Sequence, residues 1–138
     1  MKKILLTLFL FAVTNGIAQA CDGIVITGHN GHEYCLSPHP MTWYAAMGWC
    51  DGQNGRHLAN LEEACISGTQ IYNSGATCPN LQFNSKTYFD INGKDLYQKQ
   101  VWTSNPATSA DRAYYIQVGV GTYYSNGHRA GSFYALCY

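Results

Sequence analysis

Three histidines, His29, His32 and His39, fall close together in the chain, and imidazoles at that density are one way to hold a metal. No acidic or cysteine partners are arranged around them and no Cys-x-x-Cys pair occurs, which favours solvent-exposed turn histidines. Asp90, Asn92 and Asp95 offer oxygen ligands at a spacing that invites a calcium reading. The stretch lacks the length and the closing glutamate of an EF-hand loop, and Asn92-Gly93 is turn chemistry. Glu62 and Glu63 are neighbours on a predicted helix, so their side chains point apart and read as a solvated face instead of an acid/base pair. The chain has no Gly-x-Ser-x-Gly, no His-Glu-x-x-His and no phosphate loop. The expectation is therefore a protein that is not an enzyme and that uses no metal and no cofactor. His128 beside Arg129 is a cationic pair among aromatic residues, able either to bind an anion or to cover a sheet.

Tyrosine is the other chemical signal. Six of the eleven tyrosines lie at or after Tyr114. Tyr114-Tyr115 and Tyr123-Tyr124 fall in predicted strands, where neighbours point to opposite faces, so one of each pair should be outside. An exposed tyrosine offers a flat apolar face with a hydroxyl at its rim, suited to sugar rings and to protein hot spots. The competing reading is that these rings pack a small sheet.

The elements that must position these groups follow a leader. Lys2 and Lys3, the apolar run Ile4 to Val13 and the small-x-small site Ala18-Gln19-Ala20 form a signal peptide over residues 1–20. Cys21 directly after the site leaves a lipoprotein reading open, although Ala18 stands where a lipobox wants a branched aliphatic residue. The apolar run is too short for a membrane span. Residues 21–138 suit one domain. Without Lys2 and Lys3, six Lys plus Arg stand against eight Asp plus Glu, and this absence of a basic patch argues against nucleic acid. All six cysteines lie in this domain, which implies an oxidising compartment: secreted, periplasmic or cell surface. Six cysteines allow 15 pairings, and the sequence does not choose among them.

Ile24-Val25-Ile26, the turn Gly28-His29-Asn30-Gly31 and His32 to Cys35 predict a hairpin. Trp43, Ala46, Met47 and Cys50 recur at helical spacing, with Thr42 as N-cap and Gly52 and Gly55 as the stop. Asn60 and Glu63 predict a capping box on a second helix, closed by Gly68-Thr69. Asn73 to Thr77 reads as loop. Thr87 to Ile91 and Lys94 to Tyr97 read as a hairpin with a tight primed turn at Asn92-Gly93. Val101 to Ser104, Ala113 to Val118 and Thr122 to Tyr124 predict strands. Asn105 to Asp111 and Ser125 to Gly131 read as connections, the second leading into a last strand ending at Cys137.

Trp43, Ala46, Cys50, Gly55, Leu58 and Ala59, together with Phe133-Tyr134-Ala135-Leu136-Cys137-Tyr138, resemble the two ends of the C-type lectin-like domain. The order Trp102-Thr103-Ser104, Ala113-Tyr114-Tyr115-Ile116, then Tyr134 to Cys137 also resembles bacterial lectin-like domains of adhesins and fibre proteins. The resemblance implies an α+β fold of two short helices packed on antiparallel sheets and stapled by disulfides. It implies Cys50 paired with Cys137 and Cys21 with Cys35, which leaves Cys65 with Cys78. It also implies a ligand face in the loops and strands after Trp102, here Asn105, Asp111, Arg112, Tyr115, Tyr124, Asn126, His128 and Arg129. The family's calcium motifs, Glu-Pro-Asn or Gln-Pro-Asp with Trp-Asn-Asp, do not occur: Ser104-Asn105-Pro106 stands in their place. The family's further cysteine before the last strand is also missing. What the resemblance implies is a secreted or surface module, adhesin-like, taking a glycan or protein ligand without the usual calcium. The alternative is a structural or interaction subunit of an extracellular appendage.

Overall fold

The computed structural model describes residues 21–65 and 74–138. The predicted signal peptide and Gly68-Thr69 lie outside the described residues. Ile24–Thr27 (β1) and Glu33–Leu36 (β2) form the predicted antiparallel hairpin. Helix α1 (Trp43–Asp51) starts where Thr42 Oγ1 accepts from the Ala45 N–H at 3.3 Å and ends at Gly52. Its buried residues, Trp43, Ala46 and Cys50, form one stripe. Helix α2 (Leu61–Ala64) carries the predicted capping box: Asn60 Oδ1 accepts from Glu63 N, and Glu63 Oε1 accepts from Asn60 N. It already ends at Cys65, whose backbone leaves the helical region.

The remaining elements are β3 (Ala76–Thr77), a 3-10 turn (Pro79–Leu81), β4 (Gln100–Pro106), β5 (Arg112–Gln117), β6 (Thr122–His128) and β7 (Tyr134–Cys137). The strands make one seven-stranded sheet in the order β1-β2-β7-β4-β5-β6-β3. The last strand therefore sits near the middle. Separate antiparallel sheets were expected, but β4 and β7 pair in parallel. The reason lies in the connection after β6. It runs back past the start of α1, with Arg129 O accepting from Trp43 N and Met41 and Phe133 exchanging both backbone bonds. The chain thus enters β7 in the direction of β4.

Both faces of the sheet are covered. On one, Cys35, Trp102, Ala113, Ala135 and Cys137 pack with Trp43, Ala46 and Cys50 of α1. On the other, Tyr34, Leu36, Val101, Ile116, Tyr123, Tyr134 and Leu136 pack with Leu61, Ala64, Leu81 and Leu96. Each fully buried aliphatic side chain contributes about 1.5–3 kcal/mol. The two indoles in the first core are satisfied, Trp43 Nε1 donating to Thr103 O at 2.8 Å and Trp102 Nε1 to Met41 O at 2.9 Å. Three disulfides join Cys21 to Cys35, Cys50 to Cys137 and Cys65 to Cys78, the pairs the resemblance implies. With the Cys21 sulfur in a disulfide, no thiol is left there for a lipid thioether.

Several connections are more ordered than the sequence predicts. Ala76–Thr77, expected as loop, pairs with Thr122 and Tyr123. β6 continues to His128, and β4 runs on to Pro106 through a bulge that spends Thr103, Ser104 and Asn105 opposite Tyr114. The stretch at 87–97 is held by a single bridge, Phe89 to Asp95. Only Gly93 has positive φ there, so the primed turn, which needs positive φ at its first central residue, Asn92, does not form. Instead Asp90 O accepts from Gly93 N, and Asp90 Oδ1 accepts from Asn92 N and Lys94 N at 2.8 and 2.9 Å. Asp95 likewise accepts from Lys86 N and Tyr97 N. These carboxylates are spent on building the loop.

Candidate ligand-binding face

Five of the predicted site residues meet where β5 begins and β6 ends. Arg112 and His128 are register partners. Asp111 Oδ2 lies 3.9 Å from Arg112 Nε and 3.7 Å from His128 Nε2, loose contacts in solvent that contribute little to stability. Arg112 Nη1 donates to Asn126 O at 2.9 Å, and Arg129 Nε donates to Arg112 O at 2.8 Å. A second bulge places Asn126 here: β6 spends Ser125 and Asn126 opposite Tyr114, and Asn126 is exposed.

Arg129 ties this corner to α1. Its Cζ lies 4.3 Å from the centroid of the Trp43 ring, and Nη1 donates to Tyr44 OH at 3.4 Å. A cation over an indole face is an attractive arrangement. Tyr44 is 63% exposed, the most exposed large hydrophobic side chain among the described residues. It was not among the predicted residues. The signal was present, since position 44 lies off the 43–46–50 stripe and an aromatic there must face outward.

Tyr115 and Tyr124 are half-buried, contrary to the simple alternation. They belong to a row of rings: Trp102 to Phe133 at 4.5 Å, Phe133 to Tyr115 at 4.8 Å, Tyr115 to Tyr124 at 5.5 Å between centroids. Burial, then the neighbouring Tyr124, pushes the Tyr115 phenol above its usual range, so it stays a neutral hydroxyl. On the opposite face Tyr123 is buried and Tyr114 half-buried. Alternation sends one tyrosine of each pair to each face, but both faces are packed. Asn105 is not part of this corner. The β4 bulge turns it toward α2, where its Oδ1 accepts from Leu61 N at 2.8 Å.

The histidines stay apart. His29 Nε2 donates to Gln82 O at 2.8 Å, His39 is exposed, and His32, expected in solvent, is half-buried. Among the described residues no group of three or more His, Cys, Asp or Glu is placed to hold a metal, and no helix is long and apolar enough to cross a membrane. No known protein family, curated protein or solved structure matches this chain, so the reading of this corner rests on its own geometry.

Proposed function

We propose that the chain is a secreted or surface-exposed binding module of the C-type lectin-like kind, which holds a glycan or protein ligand at the β5–β6 corner without calcium. The fold reading is supported by the order α1, glycine turn, Leu58-Ala59, α2, with Cys50 of α1 joined to Cys137 of β7. The oxidising compartment is supported by the three disulfides.

The observation that carries the site is the meeting of Asp111, Arg112, Asn126, His128 and Arg129 beside an outward tyrosine, Tyr44. Two arginines and one carboxylate, Asp111, belong to this corner, so its charge favours an acidic group. Guanidinium forks match carboxylate and sulfate geometry. Tyr44 supplies the flat face for a ring or an apolar side chain. No nucleophile and base pair stands at this corner, and its chemistry is recognition. A glycan array run in the presence of a chelator tests this. Acidic glycans should be retained, and Arg112→Ala or Tyr44→Ala should weaken binding by about 2 kcal/mol if either is a hot spot. Binding that vanishes with chelator, or that ignores both substitutions, rules the site out.

One observation favours the second reading, an interaction subunit of an appendage. Ile91 and Phe89 are 61% and 45% exposed on a loop fixed by Asp90 and Asp95. Such a loop holds apolar surface in water at a cost that a protein partner would remove. Ile91→Asp should then abolish co-purification with that partner while leaving glycan retention intact.

A further inference from the structure

Away from that corner lies a cleft of about 480 Å³, within the roughly 300–1,000 Å³ of small-ligand sites. Its walls are the β1–β2 turn with the start of β2, the loop between α1 and α2, and Tyr138. Each wall is held near a half-cystine. Cys35 follows Glu33 on β2, Cys50 precedes the interhelical loop, and Cys137 precedes Tyr138. Cys35 and Cys137 are themselves register partners. The cleft is thus set before any ligand arrives, which lowers the cost of binding.

The interhelical loop is built to present its side chains. Gln53 is buried, and its Oε1 accepts from Asp22 N at 3.0 Å. Asn54 and Gly55 then adopt positive φ in succession, 49° and 82°. A left-handed non-glycine residue carries a backbone cost that persists where the surroundings fix it. Among the described residues the Asn54 side chain has no hydrogen-bond partner, and it lines the cleft. Arg56 Nη1 donates to the Glu33 carbonyl at 3.0 Å, one of its roughly five donors. Glu33 lines the same cleft, so one acidic and one basic residue stand in its wall. Tyr138 is a fixed surface, stacked on His32 at 4.1 Å and 14°.

We propose that this cleft binds a neutral, hydroxyl-rich pyranose ring. Its apolar C–H face lies on Tyr138, and its hydroxyls are shared among Arg56, Glu33 and Asn54. A sugar hydroxyl both donates and accepts, and these three side chains supply donors, acceptors and an amide that is both. The balanced charge selects against an anion, the opposite preference from the β5–β6 corner. The two sites are separate, and either can fail without the other.

The test is a titration of the uniformly 15N-labelled protein with the methyl glycosides of glucose, galactose and mannose, and with glucuronate, read by amide shifts. At least one neutral glycoside should give saturable shifts at Asn54, Gly55, Arg56 and Tyr138, with glucuronate weaker. Asn54→Gly keeps the left-handed backbone and removes only the amide. It and Arg56→Ala should each raise Kd about tenfold or more, a loss of roughly 1.4 kcal/mol, while Arg112→Ala leaves Kd unchanged. The proposal is overturned if no neutral glycoside saturates, if the shifts fall at the β5–β6 corner, if glucuronate binds tighter, or if Asn54→Gly binds as the parent does.

Discussion

Gly127 shows how much a single position can decide. A Cβ there would stand 2.7 Å from Trp102 Cζ3, 2.8 Å from Tyr115 Cδ1 and 3.0 Å from Ala113 O. The buried indole cannot move aside, so Gly127→Ala should cost about 1–3 kcal/mol by overpacking, measured as a lower urea midpoint. His32 decides a pH dependence. Its Nε2 is buried without a hydrogen-bond partner among the described residues. Burial, then the nearby Arg56, holds its pKa below 6.5, against the opposing pull of Glu63 and Glu33. The unfolded chain therefore takes up this proton first. The contribution of His32 is fully present above 6.5 and declines as pH falls below it through the folded value. His32→Phe keeps a ring against Tyr138 and removes the titration. Its unfolding free energy should fall less between about pH 7.5 and pH 5 than that of the parent, and an unchanged slope would contradict the assignment. Neither residue was legible in the sequence, because Gly127 meets Trp102 and His32 meets Tyr138 only after the sheet has closed. The caps at Thr42 and Asn60 were legible, since their partners lie three residues away.

The same distinction holds for elements. α1 and the β1–β2 hairpin were readable because local periodicity and turn residues specify them. α2, by contrast, is a helix of four residues that depends on side chains from two places. Asn60 accepts from Glu63 N, and Asn105, brought over by the β4 bulge, accepts from Leu61 N. Bulges leave no mark in the alternation of a sequence, which is why Asn105 was expected on the ligand face. Asn60→Ala should cost about 0.5–2 kcal/mol as a lost N-cap. Asn105→Ala should cost about 1–3 kcal/mol, because it leaves a half-buried N–H without its acceptor. Chemical denaturation measures both. The discriminating result is binding: Asn105→Ala should leave ligand affinity unchanged at the β5–β6 corner, whereas a specific loss there would return Asn105 to the site.

At the scale of the whole molecule, β7 is the hinge of the architecture, paired to β2 on one side and β4 on the other. Cores on both faces of the sheet, not exposure of one face, explain why the tyrosines ended half-buried. No local pattern of apolar residues distinguishes a sheet covered once from one covered twice. The disulfides divide the same way. Cys50–Cys137 closes 87 residues, while Cys21–Cys35 and Cys65–Cys78 close 14 and 13. By loop-closure entropy the long bridge stabilises by about 4–5 kcal/mol and each short one by about 3. Their accessibility differs as well. Cys21 is half-buried beside the free edge strand β1, and every other cysteine is buried. A reductant must reach sulfur, so exposure sets the order of opening in the folded state. Limiting phosphine followed by alkylation should label Cys21 and Cys35 first, with the domain still folded and β1 fraying. Cys50–Cys137 should open only as the protein unfolds, because its sulfurs lie in the core between α1 and β7. Early labelling of Cys50 and Cys137 in protein that keeps its native circular dichroism would mean that α1 lifts from the sheet. The first core would then be a mobile lid and not a fixed layer.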